Sequence, residues 1–175
     1  MKIALEGAMS TGKTTIGELV AKKLGVTFIE EAARKALKAG FELDKGATFE
    51  SQIWMLAYQY VGEFKCSEGF IADRGIMSIA VYTALNDTIK KSSKENIINL
   101  IKNELVGNKQ YDKIIYFPPN VLKLEDDGVR CVDESFQKAL HETYLKLFSD
   151  WGLDYYVLKS VEIEDRVEEI CKLII

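Results

Sequence analysis

The chain has one histidine, two prolines and three cysteines in 175 residues. Cys66, Cys131 and Cys171 lie far apart and form no CxxC or other metal spacing, which argues against a disulfide framework and for a reduced, cytoplasmic protein. His141 falls in a mixed-polarity helical stretch and reads as an ordinary surface or boundary residue. No run of about 18 apolar residues occurs, so no membrane-spanning helix is expected. The opening MKIALEG lacks the basic flank and long apolar core of a signal peptide. Positive charge is not in excess. With 23 basic and 27 acidic residues the net charge is -4, which gives no long-range pull toward nucleic acid or anionic membranes. Repeats and low-complexity stretches are also missing. The remainder, 47% hydrophobic and 29% charged, suits one globular domain of residues 1–175 that buries a core without staples.

Strands and helices alternate along the chain. Lys2 to Glu6 is a short apolar run ending in a Gly-rich turn, hence a first strand. Thr14 to Leu24 has helical apolar spacing closed by Gly25. Val26 to Ile29 reads as strand two, and Glu31 to Ala39 as a helix stopped at Gly40. Thr48 to Lys65 is a long helix with Phe49, Ile53, Leu56, Tyr60 and Phe64 on one side. Gly69 to Asp73 is strand three, followed by a helix over Ile76 to Leu85. Ser92 and Glu95 form a capping box opening a helix to about Val106. Lys113 to Phe117 is strand four, ended by Pro118-Pro119, and Asp133 to Ser149 is helical. Asp154 to Leu158 is strand five, and Ile163 to Ile174 is the last helix. Such alternation implies a mostly parallel sheet covered on both faces, with ligands at the carboxyl ends of its strands.

The chemistry-bearing residues all follow strand ends. Gly7-Ala8-Met9-Ser10-Thr11-Gly12-Lys13-Thr14 matches G-x-x-x-x-G-K-[ST] between a strand and a helix, the context in which that spacing binds phosphate. Its exposed N–H groups and the helix N-terminus cradle phosphate oxygens. Lys13 supplies a point charge to the β- and γ-phosphates, and the Thr14 hydroxyl suits Mg²⁺. The expected nucleotide contacts are Gly7, Ser10, Thr11, Gly12, Lys13, Thr14 and Thr15. Strand three delivers Asp73, a carboxylate for Mg²⁺ or a simple helix cap. Arg74 beside it reads either as a ligand of an acceptor phosphate or as a partner of a carboxylate. Strand two delivers Glu30 and Glu31. A carboxylate there either deprotonates an acceptor hydroxyl or serves the dipole of the following helix, and the sequence leaves open which of the two faces the site. The irregular segment at about 118–132 reads as a lid carrying Arg130 toward the transferring phosphoryl group, or as a solvated loop. Adenine recognition is expected near Lys159 and Ser160, from position alone.

GAMSTGKTT, EAAR, DRG, Gln59 with Glu63, PP and EDDGVR, in that order, resemble the AAA_28-type P-loop proteins. These are similar to the ribosylnicotinamide-kinase domain of the bacterial NAD-metabolism regulator and, more distantly, to thymidylate and deoxynucleoside kinases. The resemblance implies a three-layer α/β/α P-loop NTPase fold with a five-stranded parallel sheet of adenylate-kinase-like order 2-3-1-4-5. It implies ATP and Mg²⁺ at Lys13, Thr14 and Asp73, with Thr14 and Asp73 as metal ligands. It places Glu31 and Arg34 near the acceptor, makes Gln59 an acceptor contact, and makes Arg130 the lid arginine. Gly75 departs from the Ser, Tyr or His that usually follows D/E-R in thymidylate and deoxynucleoside kinases, so their substrates do not carry over.

The expectation is therefore an ATP- and Mg²⁺-dependent small kinase with Lys13, Glu31, Asp73 and Arg130 as catalytic residues and Arg34, Gln59 and Arg74 at the substrate. Its acceptor is a nucleoside, a nucleotide or a related metabolite. A polynucleotide 5′-kinase is less favoured, because the charge balance opposes a strand-binding channel even with Lys22, Lys23, Lys35 and Lys38 on neighbouring helices. A GTPase is disfavoured because Asn108-Lys109-Gln110-Tyr111 is not N-K-x-D and precedes a strand. A nucleotide-sensing module without a small acceptor would use nearly the same residues.

Overall fold

A computed structural model of the chain describes residues 1–66, 68–119 and 133–174. Five strands form one sheet: β1 (Lys2–Glu6), β2 (Thr27–Ile29), β3 (Phe70–Asp73), β4 (Lys113–Tyr116) and β5 (Tyr156–Val157). Their order is β2-β3-β1-β4-β5 and every pairing is parallel, as the resemblance implied. The helices are α1 (Lys13–Leu24), α2 (Ala32–Lys38), α3 (Phe49–Phe64), α4 (Ile76–Leu85), α5 (Lys91–Lys102), α6 (Glu134–Trp151) and α7 (Ile163–Ile174).

Strand alternation divides the core into two layers. Ile3, Leu5, Ile71, Ile115 and Phe117 pack with Ile16 and Val20 of α1 and Ile170 of α7. Ile114 and Tyr116 pack on the other face, with Ile76 and Ala80 of α4 and Leu140, Tyr144 and Phe148 of α6. Each fully buried Ile or Phe contributes roughly 1.5–3 kcal/mol, so these layers fix the sheet against both sets of helices. The register sets Leu5 beside Asp73, which brings the carboxyl ends of β1 and β3 level. Glu6 follows Leu5 onto the α4–α6 side and is fully buried there.

One local expectation is corrected. The SSKE capping box is not formed. Helix α5 is already running at Lys91, with Lys90 as its N-cap, and Glu95 lies within weak ion-pair reach of Lys91 at 3.9 Å. The cause lies upstream. The buried Asn86 side-chain Oδ1 accepts from Thr88 N–H (2.8 Å) and Ile89 N–H (3.0 Å), turning the chain so that Lys90, next after buried Ile89, caps the helix. The helical run then ends at Lys102 and widens into a π-type turn over Asn103–Gly107. A capping box forms instead at α3, where Thr48 and Ser51 exchange side-chain and backbone hydrogen bonds of 3.3 and 2.9 Å.

The apolar side of α3 is not its buried side. Of the side marked by Phe49, Ile53, Leu56, Tyr60 and Phe64, only Leu56 is fully buried, and Phe64 is 87% exposed. The helix turns Ser51, Gln52, Met55, Gln59 and Glu63 inward instead. Gln59 and Glu63 bond each other and also reach distant segments, the Arg74 carbonyl and the side chains of Gln110 and Tyr111, which no helical periodicity announces. Among the described residues, no helix is long and apolar enough to cross a membrane, and Cys66 and Cys171 are free thiols. Cys131 lies outside the described residues.

Candidate active site

The phosphate-loop motif occupies the β1–α1 junction. Gly7 has φ 140°, and a Cβ there would overlap the Phe117 carbonyl oxygen of β4's extension, so both angle and space require glycine. Gly12 caps α1 in the left-handed conformation, and the first N–H groups of α1 form the positive end of the helix dipole. Buried Lys13 folds back over the loop, donating to the Ala8 carbonyl (2.5 Å) and Thr11 Oγ1 (3.0 Å). Burial, with the nearby Arg74 charge, pushes its ammonium down to about 7, against the pull of Asp73, Glu31 and Glu6. Two distant side chains hold the loop. Gln137 of α6 donates to the Met9 carbonyl (3.0 Å), and Arg166 of α7 donates to the Thr11 carbonyl (2.8 Å). Ser10 lies half-buried at φ 56°, whereas Thr15 is exposed on the first turn of α1.

Asp73 and Thr14 meet at this junction, with Thr14 Oγ1 donating to Asp73 Oδ2 at 2.5 Å. Burial, and then the neighbouring Glu31 charge, raise the Asp73 carboxyl above its usual range. Of the two glutamates after β2, Glu31 is the buried one. Glu30 is exposed and pairs with Lys35. Arg74 Nε lies 2.5 Å from Glu31 Oε1, and its Nη1 donates to the Gly7 carbonyl at 2.7 Å. Arg74 is thus a carboxylate partner bound to the phosphate loop, at a left-handed φ of 71° and with its guanidinium over the Tyr82 ring. Arg34 Nε stands 3.8 Å from Glu31 Oε2 and is partly exposed.

A pocket opens beside this ion pair, lined by Glu31, Arg74, Gln52, Met55, Gln59, Ile79 and Tyr82. Gln59 lines it, yet its amide nitrogen is held by Glu63 Oε1 (2.8 Å) and the Arg74 carbonyl (3.2 Å). Gln52 is 1% exposed, and its Oε1 has no hydrogen-bond partner among the described residues. An unmet buried carbonyl costs on the order of 1–3 kcal/mol, so it calls for an explanation. Arg130 and most of the lid segment lie outside the described residues.

The structure adds residues that sequence reasoning missed: Glu6, Gln52, Tyr82, Gln137 and Arg166. Gln52, Gln59 and Glu63 carry a usable signal, because polar residues at i, i+7 and i+11 mark one side of an otherwise apolar helix. Glu6 carries another, as the acidic end of a buried strand directly before the phosphate loop. It accepts from Gly75 N–H and Tyr144 O–H, both at 3.0 Å, and burial drives its carboxyl up to about 8. Near the expected adenine loop, Glu169 accepts from the N–H groups of Lys159 (2.9 Å) and Ser160 (2.8 Å). Arg166 donates to the Ser160 carbonyl at 2.9 Å, so one arginine ties this loop to the phosphate loop.

Solved structures share this fold. A NadR protein in complex with NR superposes with a TM-score of 0.80 over 98% of this chain, at 22% identity, and the chain spans 50% of that protein. Deoxyadenosine kinase from M. mycoides, with dCMP and dCDP bound, gives a TM-score of 0.70 at 20% identity, covering 99% of this chain and 98% of that one. Thymidylate kinase from Ehrlichia chaffeensis gives 0.67 at 18% identity, covering 100% and 98%. No curated protein sequence matches the chain. The family model AAA_28, an AAA domain, matches residues 2–166, nearly the whole length, and the chain belongs to that family.

Proposed function

We propose that the chain is an ATP- and Mg²⁺-dependent kinase that transfers the γ-phosphoryl group to a nucleoside, a nucleotide or a related metabolite, with residues 1–175 acting as one unit. The carrying observation is the convergence of Lys13, the Thr14–Asp73 contact and the Glu31–Arg74 pair beside a pocket lined by a buried glutamine, Gln52, whose Oε1 has no hydrogen-bond partner among the described residues. The similarity to deoxyadenosine kinase and thymidylate kinase is consistent with this reading.

The loop N–H groups and the α1 N-terminus hold the phosphates, and Lys13 neutralises charge on the β- and γ-oxygens. A phosphate lifts Lys13 away from the Ala8 carbonyl and keeps its ammonium protonated. Thr14 and Asp73 offer the hard oxygen donors that Mg²⁺ takes, and burial of the Asp73 and Glu31 charges side by side favours a cation there. Thr14 and Asp73 would hold the Mg²⁺, which would supply neutralisation of the charge that develops on the phosphates. The acceptor oxygen attacks the γ-phosphorus, the bond to the ADP oxygen breaks, and the acceptor proton passes to Glu31. Arg74 holds Glu31 in place and stands beside the transferring group.

The pocket suits an acceptor that brings a hydrogen-bond donor to Gln52 Oε1 and apolar surface to Met55, Ile79 and Tyr82. Arg74 is already matched by Glu31, which favours a hydroxyl acceptor over one carrying an unscreened phosphate. The test is MgATP turnover against nucleosides, nucleoside monophosphates, ribosylnicotinamide and 5′-hydroxyl oligonucleotides, with Lys13→Ala as control. Lys13-dependent phosphorylation of one small acceptor supports the reading. Phosphorylation of oligonucleotides alone, or ATP binding without any acceptor turnover, would replace it with strand repair or nucleotide sensing.

A further inference from the structure

The turn between β3 and α4 is strained and heavily braced. Arg74 is a non-glycine residue in the left-handed region, and its carbonyl oxygen accepts from Gln59 Nε2. The same nitrogen donates to Glu63 Oε1 (2.8 Å), which also accepts from the Tyr111 hydroxyl (2.7 Å). Gln110 Nε2 donates to Glu63 Oε2 (2.6 Å), so both carboxylate oxygens of a 3%-exposed glutamate are occupied. Tyr111 O–H in turn accepts from Ile76 N–H (2.8 Å), the first residue of α4. The network therefore grips the turn on both sides of Gly75, from α3 and from the segment leading into β4.

Gly75 itself is explained by this arrangement. Its backbone, at φ -93° and ψ -171°, is one that any residue adopts. Space is what forbids a side chain: a Cβ would lie 2.6 Å from Tyr111 Oη, 2.7 Å from Cζ and 2.8 Å from Cε2. The glycine of the DRG turn and Tyr111, thirty-six positions later, are a matched pair.

We propose that Glu63, Gln59 and Tyr111 are positioning residues that form a brace behind the β3–α4 turn and hold Arg74 in the conformation that aims its guanidinium at Glu31 and the Gly7 carbonyl. The inference rests on the reading above, in which the Glu31–Arg74 pair faces the acceptor. Glu63 and Tyr111 do not line the acceptor pocket, and the Gln59 amide nitrogen is committed to Glu63 and the Arg74 carbonyl. It acts through the angle at which Arg74 leaves the strand.

The test is steady-state kinetics on wild type, Tyr111→Phe, Glu63→Gln, Gly75→Ala, Tyr111→Leu and the Gly75→Ala/Tyr111→Leu double variant, each with its thermal midpoint measured. Leucine keeps apolar bulk at 111 but lacks the three atoms that would meet the new methyl group. Displacing the turn by a fraction of an ångström should lower acceptor kcat/KM about a hundredfold in Gly75→Ala, and about tenfold in Tyr111→Phe and Glu63→Gln, with KM for ATP within about twofold of wild type. In the Tyr111→Leu background the Gly75→Ala change should cost less than about a further twofold, because the clash it creates is gone. A merely structural role would lower the folded fraction and leave the kinetic constants of the folded enzyme alone. Equal losses from Gly75→Ala in both backgrounds, or wild-type acceptor kinetics in Tyr111→Phe and Glu63→Gln, would overturn the brace while wild-type turnover left the kinase reading standing. A wild-type protein that phosphorylates no acceptor would instead remove the kinase reading, and with it the brace as a kinetic device.

Discussion

The phosphate loop and the acceptor pocket lie side by side at one end of the sheet, yet they are built in opposite ways. The loop is contiguous: eight residues from the end of β1 into the first turn of α1 carry the glycines, the lysine and the hydroxyl, and the geometry follows from local angles. The pocket is assembled from β2's end, α3, α4 and the β3–α4 turn, and its most telling residue is a glutamine in an apolar helix. Contiguous chemistry is constrained by the backbone and can be read as a pattern. Dispersed chemistry is constrained by packing and needs the fold first.

Removal of the lysine is the severest way to break this comparison. Lys13→Ala should lower kcat by at least about a hundredfold, the scale for loss of one preorganised charge contact in a site of this kind. The fold should survive, because burial depresses this ammonium and its loss relieves an unfavourable charge. Activity within a fewfold of wild type would show that the loop is not the catalytic half.

The pocket half is probed by Gln52→Leu. Acceptor KM should rise about tenfold while KM for ATP stays unchanged, because a site built to accept a hydrogen bond discriminates through it. Stability should rise by about 1 kcal/mol, since an unmet buried carbonyl disappears. A drop in stability with normal acceptor kinetics would make Gln52 a plain core residue.

Glu6 links the two halves and gives a pH signature. Its folded carboxyl titrates near 8 against an ordinary 4.5, mainly through burial, so the folded state favours the neutral acid. That contribution to stability is whole below about pH 4.5 and is lost as pH rises through 8. Glu6→Gln does not titrate, so it should be more stable than wild type by at least about 1 kcal/mol at pH 9 and similar to it at pH 4.5, in denaturant unfolding. Parallel stability–pH curves for the two proteins would refute the shift.

The smallest effect sharpens the contrast within α3. Phe64→Ser should change stability by less than about 0.5 kcal/mol, since Phe64 is 87% exposed. A loss above about 2 kcal/mol would mean that the apolar side faces inward after all.

The sequence read well wherever one physical cause dominated. The β1–loop–α1 junction was legible from an apolar run and the Gly-x-x-x-x-Gly-Lys-Thr spacing, whereas the strand order came only from the family resemblance, and the structure has both. Asp73 and Glu31 were legible as strand-end carboxylates, but only packing decides that Glu31 is buried and Glu30 exposed. Arg74 was left between two readings, and its pairing with Glu31 depends on a left-handed turn that no local pattern announces. Which side of α3 is buried was not legible, because its inward side carries Ser51, Gln52, Gln59 and Glu63. The capping box at Ser92 was misread because Asn86, six residues earlier, sets where α5 begins. Gly75 looked like a departure from a motif and proves to be a response to Tyr111.

The most direct test of the central claim is phosphorus NMR of the protein with MgATP and one small acceptor at a time. The expected result is a new phosphomonoester or phosphoanhydride resonance growing in step with ADP, present with wild type and absent with Lys13→Ala. ADP with free inorganic phosphate alone, or an unchanged ATP spectrum with every acceptor, would contradict it.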